Sequence, residues 1–382
     1  MTSKISMYLY LKNIFKNIDW ILFFSVILIA CAGLVTMNSF VGQSKFFERQ
    51  TIWLIISLVI FFVASAVDWR FIKSTKIIVS LFVFSVALLS FLFVLGSVFK
   101  GAQSWFELGL FAFQPTDLIT IVIILILAKY FSRRHIEIAN IRHIFVSGFY
   151  VFIIFILVFL QPDFGSAIII FFLWLGMVLV SGISKKHLLL VFLVGALAFG
   201  GLWMFVFKPY QKDRIKNFIY PLTDVRGSGY NAYQSTIAVG SGEMFGKGVG
   251  YGTQSKLQFL PEYQTDFIFA SFAEEWGFVG VALLFILYGI VFWRILAISF
   301  KGESNFEILF GLGLAILFFT HSTIHIGMNI GLLPVTGKTL PFMSYGGSHL
   351  VAEFLGLGML MGMKRYGRTV HKTIAQNEMV GV

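Results

Sequence analysis

Three carboxylates stand in an otherwise apolar part of this 382-residue chain. Asp266 lies where a polar segment gives way to a long apolar one, and Glu274 and Glu275 follow two helical turns further on. Ionised side chains within a bilayer are energetically costly, so they are rare and commonly functional. A carboxylate near lipid could act as a general base, because burial raises its pKa. The alternative is that Asp266 caps a helix and the two glutamates pair with basic neighbours.

The composition indicates that the chain is a membrane protein. Hydrophobic residues make up 58% of the chain and charged residues only 12%. A soluble domain could not bury so much apolar surface. The sequence therefore predicts an all-α polytopic protein with ten transmembrane helices in a single integral membrane domain, 1–382. The apolar runs lie near 19–38, 49–67, 74–96, 116–132, 143–160, 165–182, 187–207, 266–296, 306–330 and 348–364.

The distribution of lysine and arginine predicts which side each loop occupies. The two terminal segments and alternate short loops hold eighteen of these residues, and the opposite short loops hold four. Positive charge favours the cytoplasmic side, so both termini are predicted to be cytoplasmic. The segment 208–265, between helices 7 and 8, then becomes a large extracytoplasmic loop. Because the net charge of +11 is spread over short loops, the sequence argues against nucleic-acid binding.

Other unusual polar groups also fall on the predicted outer side. They lie at 101–105, 113–117, 161–165, in the loop that ends at Asp266, and in a Pro/Gly-rich turn at 331–347. Non-helical backbone at membrane depth must be covered by protein or water, so these segments are expected to converge on one outer cavity. Such a cavity has no access to cytoplasmic nucleotides, and its substrate must arrive activated. A lipid-linked sugar pyrophosphate fits, with basic residues for the pyrophosphate and a carboxylate for a sugar hydroxyl.

Several motifs resemble the SEDS glycosyltransferases (shape, elongation, division, sporulation), most closely the RodA type. They are Lys208-Pro209-Tyr210-Gln211 with Arg214-Ile215, Ile237-Ala238-Val239-Gly240-Ser241-Gly242, Gly246-Lys247-Gly248, Gly252-Thr253-Gln254-Ser255, the run 260–277 and Ser344-Tyr345-Gly346-Gly347-Ser348. The resemblance covers nearly the whole chain. It implies polymerisation of lipid II into peptidoglycan at the outer face of the bacterial cytoplasmic (inner) membrane, during cell elongation and shape maintenance.

The resemblance also implies roles for single residues. Asp266 is the expected general base, acting on the 4-hydroxyl of the GlcNAc of an incoming lipid II, while the growing glycan chain loses undecaprenyl pyrophosphate. A divalent cation, magnesium or manganese, is a candidate helper at the pyrophosphate. A class B penicillin-binding protein and the elongation machinery are the implied partners. The expected substrate-binding residues are Trp105, Gln114, Asp117, Lys208, Arg214, Lys247, Glu262 and Ser344.

Four positions depart from the family pattern. Ser104 and Thr120 stand where an arginine and a lysine are usual, and Gln264 replaces a usual histidine. His325 replaces a common asparagine; it is either a relocated cation or a hydrogen-bonded core residue, since buried polar groups are normally paired. Two alternatives to the enzyme stay open: a lipid II carrier or flippase, and a weakly active scaffold for the penicillin-binding protein. Polymer formation that depends on Asp266 would separate them.

Overall fold

The computed structural model describes residues 15–39, 44–99, 102–108, 111–133, 141–205, 207, 209–220, 228–257 and 259–380. The described chain is mostly helical. Its helices are α1 Trp20–Asn38, α2 Ser44–Ala66, α3 Thr75–Leu95, α4 Pro115–Ser132, α5 Ile141–Leu160, α6 Phe164–Val180, α7 Lys185–Phe205, α8 Pro209–Ile219, α9 Ser228–Ser241, α10 Thr253–Lys256, α11 Ile268–Ser299, α12 Asn305–Asn329 and α13 Gly347–Val380. A short 3₁₀ helix, Trp69–Lys73, precedes α3.

Eight of the described helices are long and apolar enough to cross a membrane. They are α1 to α5, α7, α11 and α12, and α6 is equally apolar with 17 residues. At 1.5 Å per residue, helices of about 20 residues match a hydrocarbon core of about 30 Å. The chain is therefore a polytopic helical membrane protein, as the apolar runs predicted.

A small antiparallel sheet between α3 and α4 was not predicted. Its strands, in the order β1-β2-β3, are Ser97–Phe99, Ala102–Leu108 and Phe111–Phe113. The Gln103 amide donates to the Gln161 carbonyl at 3.1 Å, which ties β2 to the turn between α5 and α6. The sheet thus brings the predicted polar segments 101–105 and 161–165 together at one end of the bundle.

Ion pairs mark the opposite end of the bundle. Asp19, just before α1, pairs with Arg294 near the end of α11 and lies 3.7 Å from the Lys364 ammonium. Lys73 pairs with Glu307, at the start of α12, at 2.7 Å. We call this the ion-pair end and the other the loop end. Between them, buried apolar side chains of α4, α6 and α12 form the centre of the core.

Helix α11 reverses direction at Gly277. The φ of 64° and ψ of −166° there are not helical, and that combination is essentially confined to glycine. The rings of Phe269 and Phe285 stack with centroids 6.2 Å apart, whereas an unbroken helix would separate these positions by about 24 Å. The half-helix 268–276 therefore runs back along the start of segment 278–299. The expectation of one continuous span at this point was wrong.

The segment 242–250, here called the docking loop, packs against this break. It satisfies main-chain groups that the reversal leaves without helical partners, as buried backbone requires. Four hydrogen bonds of 2.9 to 3.1 Å join the two: Lys247 N to Glu274 O, Gly248 N to Glu275 O, Phe278 N to Glu243 O and Val279 N to Met244 O. The break is thus stabilised by specific main-chain contacts with the docking loop.

A non-helical segment, 331–346, enters the bundle between α12 and α13; we call it the re-entrant segment. The side chains of Leu340, Phe342 and Met343 are at most 2% exposed. A Cβ at Gly33, well inside α1, would lie 2.2 Å from the Met343 carbonyl oxygen, so the two backbones touch. The Phe342 amide donates to Glu353 of α13 at 2.9 Å. The Pro/Gly-rich composition of this stretch predicted such a turn.

Candidate active site

Asp266 lies at the end of a tight turn, just ahead of the half-helix 268–276. Glu262 shapes the turn: its φ is 56°, and its carbonyl accepts the amides of Thr265 and Phe267 at 3.1 and 3.2 Å. The Glu262 carboxylate also accepts the Thr265 hydroxyl at 3.0 Å. The helix N-cap is Phe267, so Asp266 does not occupy the capping position that the simpler interpretation gave it. Its side chain is half-buried.

A second, smaller apolar cluster holds this turn against α9. Tyr263 and Phe267 are 5% and 2% exposed, and they pack with Ala238 of α9. The turn is therefore anchored on both sides of Asp266. The main chain that carries the Asp266 carboxylate is held in place because these neighbours are buried.

Asn329, the last residue of α12, clamps the main chain around Asp266. Its side-chain nitrogen donates to the carbonyls of Asp266 and His325 at 3.0 and 2.8 Å. Its side-chain oxygen accepts the Ala270 amide at 3.1 Å. Asn329 itself is fully buried. One side chain thus fixes the backbone on both sides of the helix start, and the sequence analysis did not identify it.

The re-entrant segment lies against the same turn. The Ser344 hydroxyl donates to the Thr265 carbonyl at 2.9 Å, and the Tyr345 amide donates to the Gln264 carbonyl at 2.9 Å. A Cβ at Gly337 would lie 3.7 Å from a carboxylate oxygen of Asp266, so this glycine borders the carboxylate directly. The structure places Ser344 as a scaffold of the turn.

Gln114 joins a buried polar group centred on Asp163. The Gln114 amide donates to the Asp163 carboxylate at 2.9 Å, as do the Ser166 hydroxyl at 2.6 Å and the Ser166 amide at 3.0 Å. The Lys338 ammonium, from the re-entrant segment, lies 3.6 Å from the same carboxylate. We call these four side chains the Asp163 cluster.

Asp117, in the first turn of α4, belongs to a neighbouring group. Its carboxylate accepts the Ser348 hydroxyl at 2.8 Å and lies 3.4 Å from His349, whose other ring nitrogen is 2.9 Å from Glu353. Thr120 lines a small cavity with these three ionisable side chains. The cavity of about 10 Å³ is the size of one water molecule.

Lys247 and the two glutamates lie at the break in α11, apart from this arrangement. The Lys247 ammonium is 2.7 Å from the Glu274 carboxylate. Glu275 accepts the Gly250 amide at 2.8 Å and the Ser39 hydroxyl. The two glutamates are at most 1% exposed. Glu274 thus pairs with a basic neighbour, as expected, and engages Lys247. Glu275 is held instead by a main-chain amide and a serine hydroxyl.

The remaining predicted residues are described only in part. Trp105 lies on β2 with a half-buried side chain, next to the buried Ser104. The backbone of Arg214 lies in α8, and its side chain and Lys208 are outside the described residues. Within the described ranges, no group of three or more His, Cys, Asp or Glu side chains is arranged to hold a metal ion.

His325 is a core residue. A ring nitrogen lies 2.7 Å from the Lys338 carbonyl oxygen, and the side chain is fully buried. This contact agrees with the hydrogen-bonded interpretation. The buried cation beside Asp163 is Lys338, one of the four basic residues of the predicted outer short loops.

The fold and this arrangement define a multi-helix membrane protein with a half-buried carboxylate held at one end of its bundle. The sequence model of the FtsW/RodA/SpoVE family, described as a cell cycle protein, matches residues 12–369, and the chain belongs to this family.

Two named relatives are similar in sequence to this chain along most of their length. The peptidoglycan glycosyltransferase MrdB of Escherichia coli K12 is 35% identical over 294 residues, which cover 77% of this chain and 79% of that one. The stage V sporulation protein E of Bacillus subtilis is 33% identical over 348 residues, covering 90% and 93%.

Solved structures show the same fold. A peptidoglycan synthase complex that coordinates polymerization and crosslinking contains a chain with a TM-score of 0.78 and 30% identity, covering 91% of this chain and 98% of that one. The rod shape determining protein RodA of Thermus thermophilus has a TM-score of 0.69 and 29% identity, covering 91% and 97%.

Proposed function

We propose that this protein is a peptidoglycan glycosyltransferase that polymerises lipid II during cell-wall synthesis. The observation that carries the proposal is Asp266: a half-buried carboxylate whose backbone is fixed by Asn329 and by the re-entrant segment. Preorganised groups of this kind lower a barrier because they need not be arranged during the reaction. Family membership and the names of the relatives point to the same activity.

The topology that accompanies this function has ten spans. The eight long apolar helices, the 17-residue α6 and the apolar first half of α13 would supply them. In that arrangement the ion-pair end faces the cytoplasm with both chain termini, as the lysine and arginine distribution favours. The loop end, with Asp266 and the segment 208–265, would face outward, where lipid II is displayed.

The proposed chemistry is a proton transfer coupled to sugar transfer. The Asp266 carboxylate takes the proton from the 4-hydroxyl of the GlcNAc of an incoming lipid II. That oxygen forms a bond to C1 of the sugar at the reducing end of the growing chain. The bond between C1 and the pyrophosphate oxygen breaks, and undecaprenyl pyrophosphate leaves with the electron pair.

The leaving pyrophosphate needs positive charge near it. Of the three basic residues expected to bind substrate, Lys247 is paired with Glu274. Lys208 and Arg214 are therefore the loop residues proposed to meet the pyrophosphate. Trp105, on the central strand of the small sheet, is proposed to contact the lipid-linked sugar. A divalent cation, if it takes part, would have to be bound mainly by the substrate phosphates, since the described residues do not form a cation site of their own.

A class B penicillin-binding protein is the proposed partner, which would crosslink the strands this protein makes. The neighbouring structure of a synthase complex supports such an assembly in the family. The motif Gly252-Thr253-Gln254 favours a role in elongation and shape over one in division.

The test is polymerisation of fluorescent lipid II by the purified protein in liposomes, with and without the partner. Asp266→Asn should fold normally and lose about 10²- to 10⁴-fold in rate, the range ascribed to general base catalysis. Asp213→Asn is the matched control, since Asp213 is an exposed carboxylate of α8. Full activity of Asp266→Asn would remove the proposed role of that residue.

The same assay separates the alternatives. A lipid II carrier would move the lipid across the vesicle membrane without forming polymer, whether or not Asp266 is present. A scaffold would form no polymer alone and would still stimulate crosslinking by its partner.

A further inference from the structure

The family resemblance implies a lysine one turn after Asp117, and this chain has Thr120 there. The Thr120 hydroxyl is turned back to the Asp117 carbonyl at 2.7 Å. The acidic groups that a lysine would face are nevertheless present: Asp117 and Asp163 are 9% and 8% exposed. Buried carboxylates without a cation are strongly disfavoured.

Lys338 brings a positive charge to these carboxylates from the opposite direction. Its side chain is 7% exposed. Its ammonium donates to the Ser166 hydroxyl and lies 3.6 Å from the Asp163 carboxylate. It is also close enough for its charge to act on Asp117. A lysine is rarely buried unless it is paired.

Gly165 provides the space for this side chain. A Cβ there would lie 2.9 Å from Cγ and 3.0 Å from Cε of Lys338, and 2.7 Å from the Thr336 carbonyl oxygen. The lysine stem therefore passes directly over the first turn of α6. The site is shaped for an extended lysine at 338.

A lysine at position 120 would reach the same place. Helical side chains lean toward the N-terminal end of their helix, so its ammonium would extend past Asp117 toward Gln114 at the start of α4. Gln114 is hydrogen-bonded to Asp163. The two possible lysines thus converge on one polar group.

We propose that Lys338 supplies, from the re-entrant segment, the buried cation that the family pattern carries at position 120. Lys338 is a positioning residue. It follows Gly337, which borders the Asp266 carboxylate, and its carbonyl oxygen accepts a hydrogen bond from the His325 ring. Anchoring its ammonium in the Asp163 cluster holds this part of the re-entrant segment beside Asp266. The positive charge that Thr120 cannot supply is therefore provided by Lys338, from a different segment of the chain.

His349 is the competing cation, since it lies between Asp117 and Glu353. It is placed at the other side of the Asp117 carboxylate and does not approach Asp163 within ion-pair distance in the described structure. Substitution at each position distinguishes the two.

The test is a rescue experiment with two readouts, lipid II polymerisation and thermal unfolding in detergent. Lys338→Met should lower the melting temperature and reduce polymerisation by at least about tenfold, as expected when a buried charge loses its partner. Thr120→Lys added to Lys338→Met should restore both, to within about threefold of wild-type rate. Thr120→Lys alone should give no gain. Lys301→Met, at an exposed lysine of the ion-pair end, is the control and should change neither readout.

Three outcomes overturn the proposal. They are a gain of activity from Thr120→Lys alone, a failure of Thr120→Lys to rescue Lys338→Met, and rescue by Thr120→Lys of His349→Gln instead of Lys338→Met. If the double variant does not fold, Asp163→Asn in the Lys338→Met background provides a second check, because removing both charges should recover stability.

The activity readout rests on the proposed function, whereas the melting temperatures do not. Wild-type protein that forms no polymer would count against the function, while restored or unrestored melting temperatures would still decide the role of Lys338.

Discussion

Replacing Gly277 with alanine tests the reversal of α11. A Cβ at this position would lie 2.2 Å from the Gly246 amide nitrogen and 2.8 Å from the Gly242 carbonyl oxygen. Both are main-chain atoms of the docking loop, so neither can rotate away as a flexible side chain would. Alanine must therefore either displace the docking loop or leave the backbone conformation that the reversal needs.

Two contributions set the size of the effect. Holding a non-glycine residue at a φ of 64° and ψ of −166° costs about 1–3 kcal/mol. Loss of two of the four main-chain hydrogen bonds to the docking loop adds about 1–3 kcal/mol. We expect a destabilisation of about 2–6 kcal/mol, a large share of the 5–15 kcal/mol typical of folded proteins.

The measurement is thermal unfolding of the purified protein in detergent. Gly289→Ala is the matched control, because it lies in the same helix and nothing would approach its Cβ within 4 Å. That control should be neutral or stabilise by about 0.5–1 kcal/mol, as alanine usually does in a helix interior. Equal melting temperatures for the two variants would refute both the reversal and the docking contact.

Two further predictions concern the turn around Asp266. Asn329→Asp replaces the amide donor by an oxygen that faces the carbonyls of Asp266 and His325. Polymerisation should fall by about 10- to 100-fold, and a wild-type rate would contradict the clamp. Burial raises the pKa of the Tyr263 phenol above 10, so stability is complete below that pH and declines as the pH rises beyond it. Tyr263→Phe should lessen this alkaline decline in melting temperature; an unchanged slope would count against it.

The sequence predicted those parts of the protein that follow from local pattern. Apolar runs of about 20 residues predict spanning helices because only a helix satisfies its own backbone in lipid. The Pro/Gly-rich stretch at 331–347 predicted a non-helical segment, because proline and glycine are unfavourable in a helix interior. The isolated carboxylate in an apolar stretch drew attention to Asp266.

The reversal at Gly277 could not be predicted in this way. The apolar run continues on both sides of the glycine, and the contacts that stabilise the break come from the docking loop. The same holds for Lys338, whose partners Asp163 and Ser166 belong to another helix and are distant in sequence. Such pairs depend on the tertiary arrangement, and no residue spacing reveals them.

The pairing of distant residues has a consequence for the order in which the protein is assembled. The contacts around Asp266 include Gln50 with Ser344, separated by 294 positions, and Asp117 with Ser348, separated by 231. Chains are synthesised from the N-terminus, so the early helices enter the membrane long before these partners exist. Asp266 is translated ahead of the re-entrant segment and of α13. Its surroundings are therefore completed only when the last helix is in place. Intermediates that contain Asp266 but not yet the re-entrant segment lack the Ser344 and Tyr345 contacts to its turn.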